Sequence, residues 1–148
     1  MDSAISSSWG LDWAWGLPII VLTVIFHAHG LGVIGKDVHA RLANAEQSRK
    51  LSSSLTYIIG ATSLSVIILH ALEGAIWAGA YRLLGALPNT KSAMLYSLGA
   101  MTSYGHANLF LSPRWEMMGA LEALNGWILF GLSTAFLFTV VQAAWSRK

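Results

Sequence analysis

The segment Asn89–Pro113, NTKSAMLYSLGAMTSYGHANLFLSP, decides how this chain folds. Strongly apolar stretches flank it on both sides, yet it cannot itself cross a membrane. Pro88 precedes it, its start is polar, and its centre is the small-residue polar run TSYGHAN. The pattern predicts a short amphipathic helix over Ser92–Met101 and an irregular strip over Thr102–Asn108. Non-helical backbone survives at membrane depth only where protein or a water-filled path covers it. The segment therefore reads as a re-entrant loop.

Composition supports a membrane setting. Of 148 residues, 55% are hydrophobic and 11% charged, against roughly a quarter charged in an ordinary soluble domain. The charges are clustered, leaving long apolar stretches between them. There is no cysteine, which excludes disulfides and thiol chemistry. A net charge of +2 carries no nucleic-acid signal.

Three spans are expected. The first is Leu17–Ile34, about eighteen residues without Lys, Arg, Asp or Glu. Trp9, Trp13 and Trp15 precede it as an interfacial belt, and Pro18 is expected in its first turn. Met1–Gly10 lacks the basic start of a secretory leader. Gly35–Lys50, GKDVHARLANAEQSRK, is expected to be a polar loop. The second span covers about Leu55–Ala80, with Ser52, Ser53 and Ser54 as candidate N-caps. The last runs from near Trp115 to Trp145. Lys36, Arg41, Arg49, Lys50, Arg147 and Lys148 then share one face of the membrane, while Arg82, Lys91 and Arg114 lie opposite. The positive-inside rule predicts a plasma-membrane protein with its N-terminus outside and its C-terminus in the cytoplasm.

A short helix, a re-entrant strip and a final span form the layout of a pore loop. Ser97–Pro113, SLGAMTSYGHANLFLSP, resembles the pore region of the two-helix potassium channel superfamily, whose pattern is approximately SLVTxTTLGYGDxxxSP. The two align without a gap. Thr102 and Ser103 fall on the paired threonines, Tyr104 on the variable residue and Gly105 on the first filter glycine. His106 falls on the filter tyrosine, Ala107 on the second glycine and Asn108 on the aspartate. The flanking WEMMGALEALNGWILFGLSTAFLF and HALEGAIWAGAY resemble inner and outer helices of small bacterial members. The likeness spans roughly Leu55–Val141.

The resemblance implies an all-α membrane protein with a potassium-channel-like pore domain over residues 51–148. Residues 1–50, an extra transmembrane helix and cytoplasmic loop, precede it. It implies a homotetramer conducting a monovalent cation such as K+ or Na+ through TSYGHA, with no cofactor and no covalent chemistry. Selectivity-filter residues would be Thr102, Ser103, Tyr104, Gly105, His106, Ala107 and Asn108, supported by His70, Glu73 and Trp77. Gly126 is the candidate gating hinge. Carbonyls from several copies would replace an ion's hydration shell, and glycine serves where φ is positive. Ala107, His106 and Asn108 depart from the pattern, leaving three outcomes: a weakly selective pore, an altered selectivity, or a chain that does not conduct.

Other polar residues carry paired readings. His106 either titrates in the ion path or packs behind the strip. His70 and Glu73 share a helical face and form either a metal or proton site or a structural contact to the pore helix or filter. His27 and His29 point to different faces. Glu122 should meet Arg82, a polar pocket or a vestibule. Ser133, Thr134, Thr139 and Gln142 would give the last helix a partly wet face. Two rival classes stand beside the channel: a membrane metal-binding protein or metalloenzyme using His27, His29, His70, His106, Glu73 and Glu122, and a non-conducting regulatory subunit. The repeated Glu-x-x-His pairing of helical diiron sites is missing.

Overall fold

The computed structural model describes residues 2–47, 51–105 and 108–146, and side chains over 9–45, 55–105 and 108–146. His106 and Ala107, Arg49 and Lys50, and Arg147 and Lys148 lie outside these. The described residues contain four α-helices and one 3₁₀ turn, with no strand among them: α1 Asp2–Gln47, α2 Leu51–Leu83, α3 Thr90–Met101, the turn Pro113–Trp115, and α4 Glu116–Trp145. Three helices are long and apolar enough to cross a membrane, over Trp9–Ala45, Leu55–Leu83 and Pro113–Trp145. The chain is an all-helical membrane protein.

Each long helix buries one stripe. On α2 this is Leu55, Ile58, Thr62, Val66, Leu69, Glu73, Trp77 and Tyr81, spaced three or four apart as a helical face requires. Facing it are Ile19, Thr23 and His27 from α1, and Met118, Leu121, Glu122, Asn125, Leu129 and Ser133 from α4. The seam ends in two apolar clusters. One gathers Trp77, Tyr81, Ala93, Trp115 and Met118. The other gathers Val38, Leu42, Ala45, Leu55, Ile58, Val140 and Ala144.

The second cluster overturns the expected polar loop. Helix α1 continues to Gln47, because Val38, Leu42 and Ala45 recur at helical spacing and dock on α2 and α4. Arg41 and Asp37, one turn apart, pair across the outer face. Two further expectations change. Pro18 lies well inside α1 rather than in its first turn. Ser52, Ser53 and Ser54 lie within α2, which starts at Leu51.

The short helix is placed as expected, with a start two residues earlier. Asn89 caps α3 by accepting from the Ser92 amide at 2.8 Å. Before it, α2 ends in a Schellman turn: Gly85 takes φ +66°, Ala86 N–H donates to Tyr81 O at 2.9 Å, and Gly85 N–H to Arg82 O at 3.2 Å. Arg82 closes the connection by donating to Leu87 O at 2.7 Å.

Ala93, Ser97 and Met101 form the buried face of α3, which packs between α2 and α4. Its last residue rests directly on Gly126, where a Cβ would strike the Met101 carbonyl. Tyr96 crosses Gly119 in the same way. At 1.5 Å per residue, Gly126 lies about 15 Å along α4 from Glu116. That distance equals half of a hydrocarbon core about 30 Å thick. Gly126→Val is expected to unseat α3 and destabilise the protein by about 1–3 kcal/mol, read by SDS-titration unfolding. Gly131→Val, where a Cβ meets open space, is expected to change little.

Candidate functional site

Two polar centres lie along the buried seam, and the strip after α3 lies beside it. The first centre joins α2, α3 and α4. Tyr81 Oη donates to Glu122 Oε2 at 2.6 Å, and Ser97 Oγ lies 2.5 Å from Glu122 Oε1 and 2.8 Å from Gly74 O. Ser97 owns one proton. If it goes to the Gly74 carbonyl, the proton between Ser97 and Glu122 belongs to Glu122. A neutral glutamic acid therefore satisfies every contact here, without a bare charge at membrane depth. Arg82, a possible partner at the sequence level, is engaged with Leu87 instead.

The second centre joins α1, α2 and α4. His27 Nδ1 lies 2.7 Å from Glu73 Oε1, and His27 Nε2 lies 3.1 Å from Ser133 Oγ. Ser133 Oγ lies 3.0 Å from His70 Nε2, and His70 Nδ1 lies 3.2 Å from Glu73 Oε2. The four contacts close a ring. His27 and Glu73 are fully buried, while the His70 side chain keeps 12% exposure and stacks on Phe130 at 4.6 Å. His27 faces inward and His29 outward, as their spacing predicts. Nearby, Asn125 Nδ2 donates to Thr23 Oγ1 at 2.8 Å. At the far end of the seam, the buried Asp12 on α1 lies near the Met118 backbone in the first turn of α4.

His70 and Glu73 therefore face α1 and α4, not α3 or the strip as their structural reading had it. Trp77 does pack in the cluster that includes Ala93 of α3.

The strip begins at the C-cap of α3. Thr102 is right-handed at φ −87°, Ser103 left-handed at φ +56°, and Gly105 left-handed at φ +69°. Ser103 occupies the C′ position that glycine usually takes, and Trp127 Nε1 donates to its hydroxyl at 3.0 Å. The amides of Thr102, Ser103 and Gly105 donate to Leu98, Ala100 and Gly99 carbonyls at 3.2, 3.0 and 3.1 Å. These three donors are thus spent inside α3. Thr102 to Gly105 are exposed, as is Asn108. A groove of about 400 Å³ runs behind, lined by Tyr96, Gly99, Ser103, Gly105, Phe110 and Glu116 among others.

Gly126, the expected hinge, is buried under Met101. Ser133 is buried in the ring, while Thr134 and Thr139 are exposed and bond back to Phe130 and Phe136 carbonyls. Sequence reasoning did not join Ser97 to Tyr81 and Glu122, or Ser133 and His27 to Glu73. The intramembrane carboxylates were the signal available, since each needs a partner; nothing in the spacing says which. Comparison with protein-family models, curated proteins and solved structures gives no match for this chain.

Glu122→Gln can accept from Tyr81 and donate to Ser97 as the neutral acid does. It is expected to stay within about 1 kcal/mol of the native protein in SDS-titration unfolding. Glu122→Ala, which strands both hydroxyls and leaves a cavity, is expected to cost about 2–4 kcal/mol.

Proposed function

We propose that the chain assembles, as a homotetramer, into a cation channel in the plasma membrane, with the strip after α3 lining the path. The observation that carries this reading is the exposure of Thr102–Gly105 beside a point about 15 Å along α4, which the reading puts halfway through a bilayer. Irregular backbone at that depth cannot face lipid. Other copies of the chain around an aqueous axis supply both the cover and the water.

Three further features fit. The left-handed residues Ser103 and Gly105 flank Tyr104, the kind of alternation that turns successive carbonyls toward one side. The C-terminal, partly negative end of α3 abuts the strip and favours cations. Leu124, Trp127 and Ile128 on α4 are exposed on the strip's side of the helix, an apolar surface that a neighbouring copy would cover. The resemblance of Ser97–Pro113 to potassium-channel pore regions agrees with this placement. In the same reading the N-terminus lies outside and the C-terminus in the cytoplasm, and the ion is monovalent.

The test is ion flux into liposomes carrying the purified protein, comparing potassium, sodium and a large impermeant cation. Potassium or sodium flux well above protein-free vesicles is expected, with the large cation excluded. Gly105→Val, which forces a branched residue into left-handed backbone at a cost of about 1–2 kcal/mol, is expected to abolish flux from oligomers of unchanged size. Absence of flux from well-folded oligomers would overturn the channel reading in favour of a non-conducting subunit.

A further inference from the structure

The ring of Glu73, His27, Ser133 and His70 has four contacts, and its proton inventory falls one short. With both imidazoles neutral, it owns three protons. His27 Nδ1–H donates to Glu73, the Ser133 hydroxyl donates to His27 Nε2, and His70 Nε2–H donates to Ser133. The fourth contact then sets the His70 Nδ1 lone pair against a Glu73 Oε2 lone pair across 3.2 Å. Neither atom has a hydrogen-bond partner, although both are buried. Two acceptors aimed at one another around a buried carboxylate mark the place of a cation.

We propose that this gap is a binding site for a divalent transition-metal ion of the zinc class, held by His27, His70 and Glu73. One ligand atom from each lies within 4.8 Å of the others. A tetrahedral zinc ion at 2.0–2.1 Å from its ligands sets them about 3.3 Å apart, close to the His70–Glu73 separation. The ligand chemistry selects the ion. Two imidazoles and one carboxylate suit zinc and its neighbours, whereas potassium, calcium and magnesium call for oxygen. Ser133 is the outer partner. Both imidazoles turn Nδ1 toward Glu73 and Nε2 toward the Ser133 hydroxyl, whose two lone pairs can receive both N–H groups and fix both rings for metal binding through Nδ1. The remaining tetrahedral position is left for a solvent ligand, and partly exposed His70 marks the side of entry. Such an ion would join α1 to α2 and α4, and the proposal does not depend on the channel reading.

The full-length protein in detergent is stripped with a chelator, exposed to zinc chloride, desalted, and assayed for bound zinc by mass spectrometry. About one zinc per chain is expected. His27→Ala and His70→Ala are expected to lose it, while His29→Ala, altered at an exposed histidine on another face of α1, keeps it. Ser133→Ala is expected to weaken zinc affinity about tenfold or more. X-ray absorption on the native protein covers the case in which an alanine variant misfolds. Two imidazoles in the first shell support the site, and one or none overturns it. Zinc at background level in the native protein, or equal in native and His70→Ala protein, would also overturn it and leave the fourth contact to a proton.

Discussion

The close approach of Met101 to Gly126 sets the geometry of everything around it. Because no side chain intervenes on α4, the end of α3 reaches about a third of the way along that 30-residue helix before the chain turns back. That reach is what gives the following strip its place in the channel proposal. The same residues near the membrane surface would be an ordinary helix C-cap with a loop behind it. At the mid-depth that the proposal assigns them, they need cover or water. Gly119 under Tyr96 and Gly74 under Leu98 complete the cradle. Glu122, Tyr81 and Ser97 then tie the wedge to both neighbours through hydrogen bonds that a dry interior makes costly to leave unmet.

The interior is organised by where polarity is placed, not by apolar packing alone. Asp12, Thr23, His27, Glu73, Glu122, Asn125 and Ser133 all lie on the buried stripes of the three long helices. In a bilayer, apolar side chains meet lipid as readily as one another, and helix pairing relies on small residues and interhelical hydrogen bonds. Gly16 against Leu121 and Gly30 against Leu69 supply close approach for α1, and the histidine ring and the Asn125–Thr23 contact supply the bonds.

Much of the architecture was legible in the chain, for identifiable reasons. Three apolar stretches and a segment too polar to cross announce themselves by length and composition, and the polar run after Met101 marks the end of the short helix, whose Asn89-capped start lay two residues before the expected Ser92. The extension of α1 was misread because GKDVHARLANAEQ is dominated by its polar residues; only Val38, Leu42 and Ala45, three or four apart, reveal a face with something to dock on. The partners of the buried carboxylates were out of reach, since 46 residues separate His27 from Glu73 and 25 separate Ser97 from Glu122. Helical periodicity states which face a residue occupies, not which helix comes to meet it.

The first helix also bears on what counts as a module here. A boundary near residue 50 follows the order of the chain, but the chemistry ignores it. Without α1, Glu73 would lose the imidazole of His27, Asn125 its acceptor on Thr23, and Met118 its neighbour Asp12. Stranding a buried charge in this way costs about 3–5 kcal/mol on its own. A fragment of the two-helix hairpin with its wedge would carry that cost. Transplantation into another scaffold keeps these contacts only when all three long helices travel together.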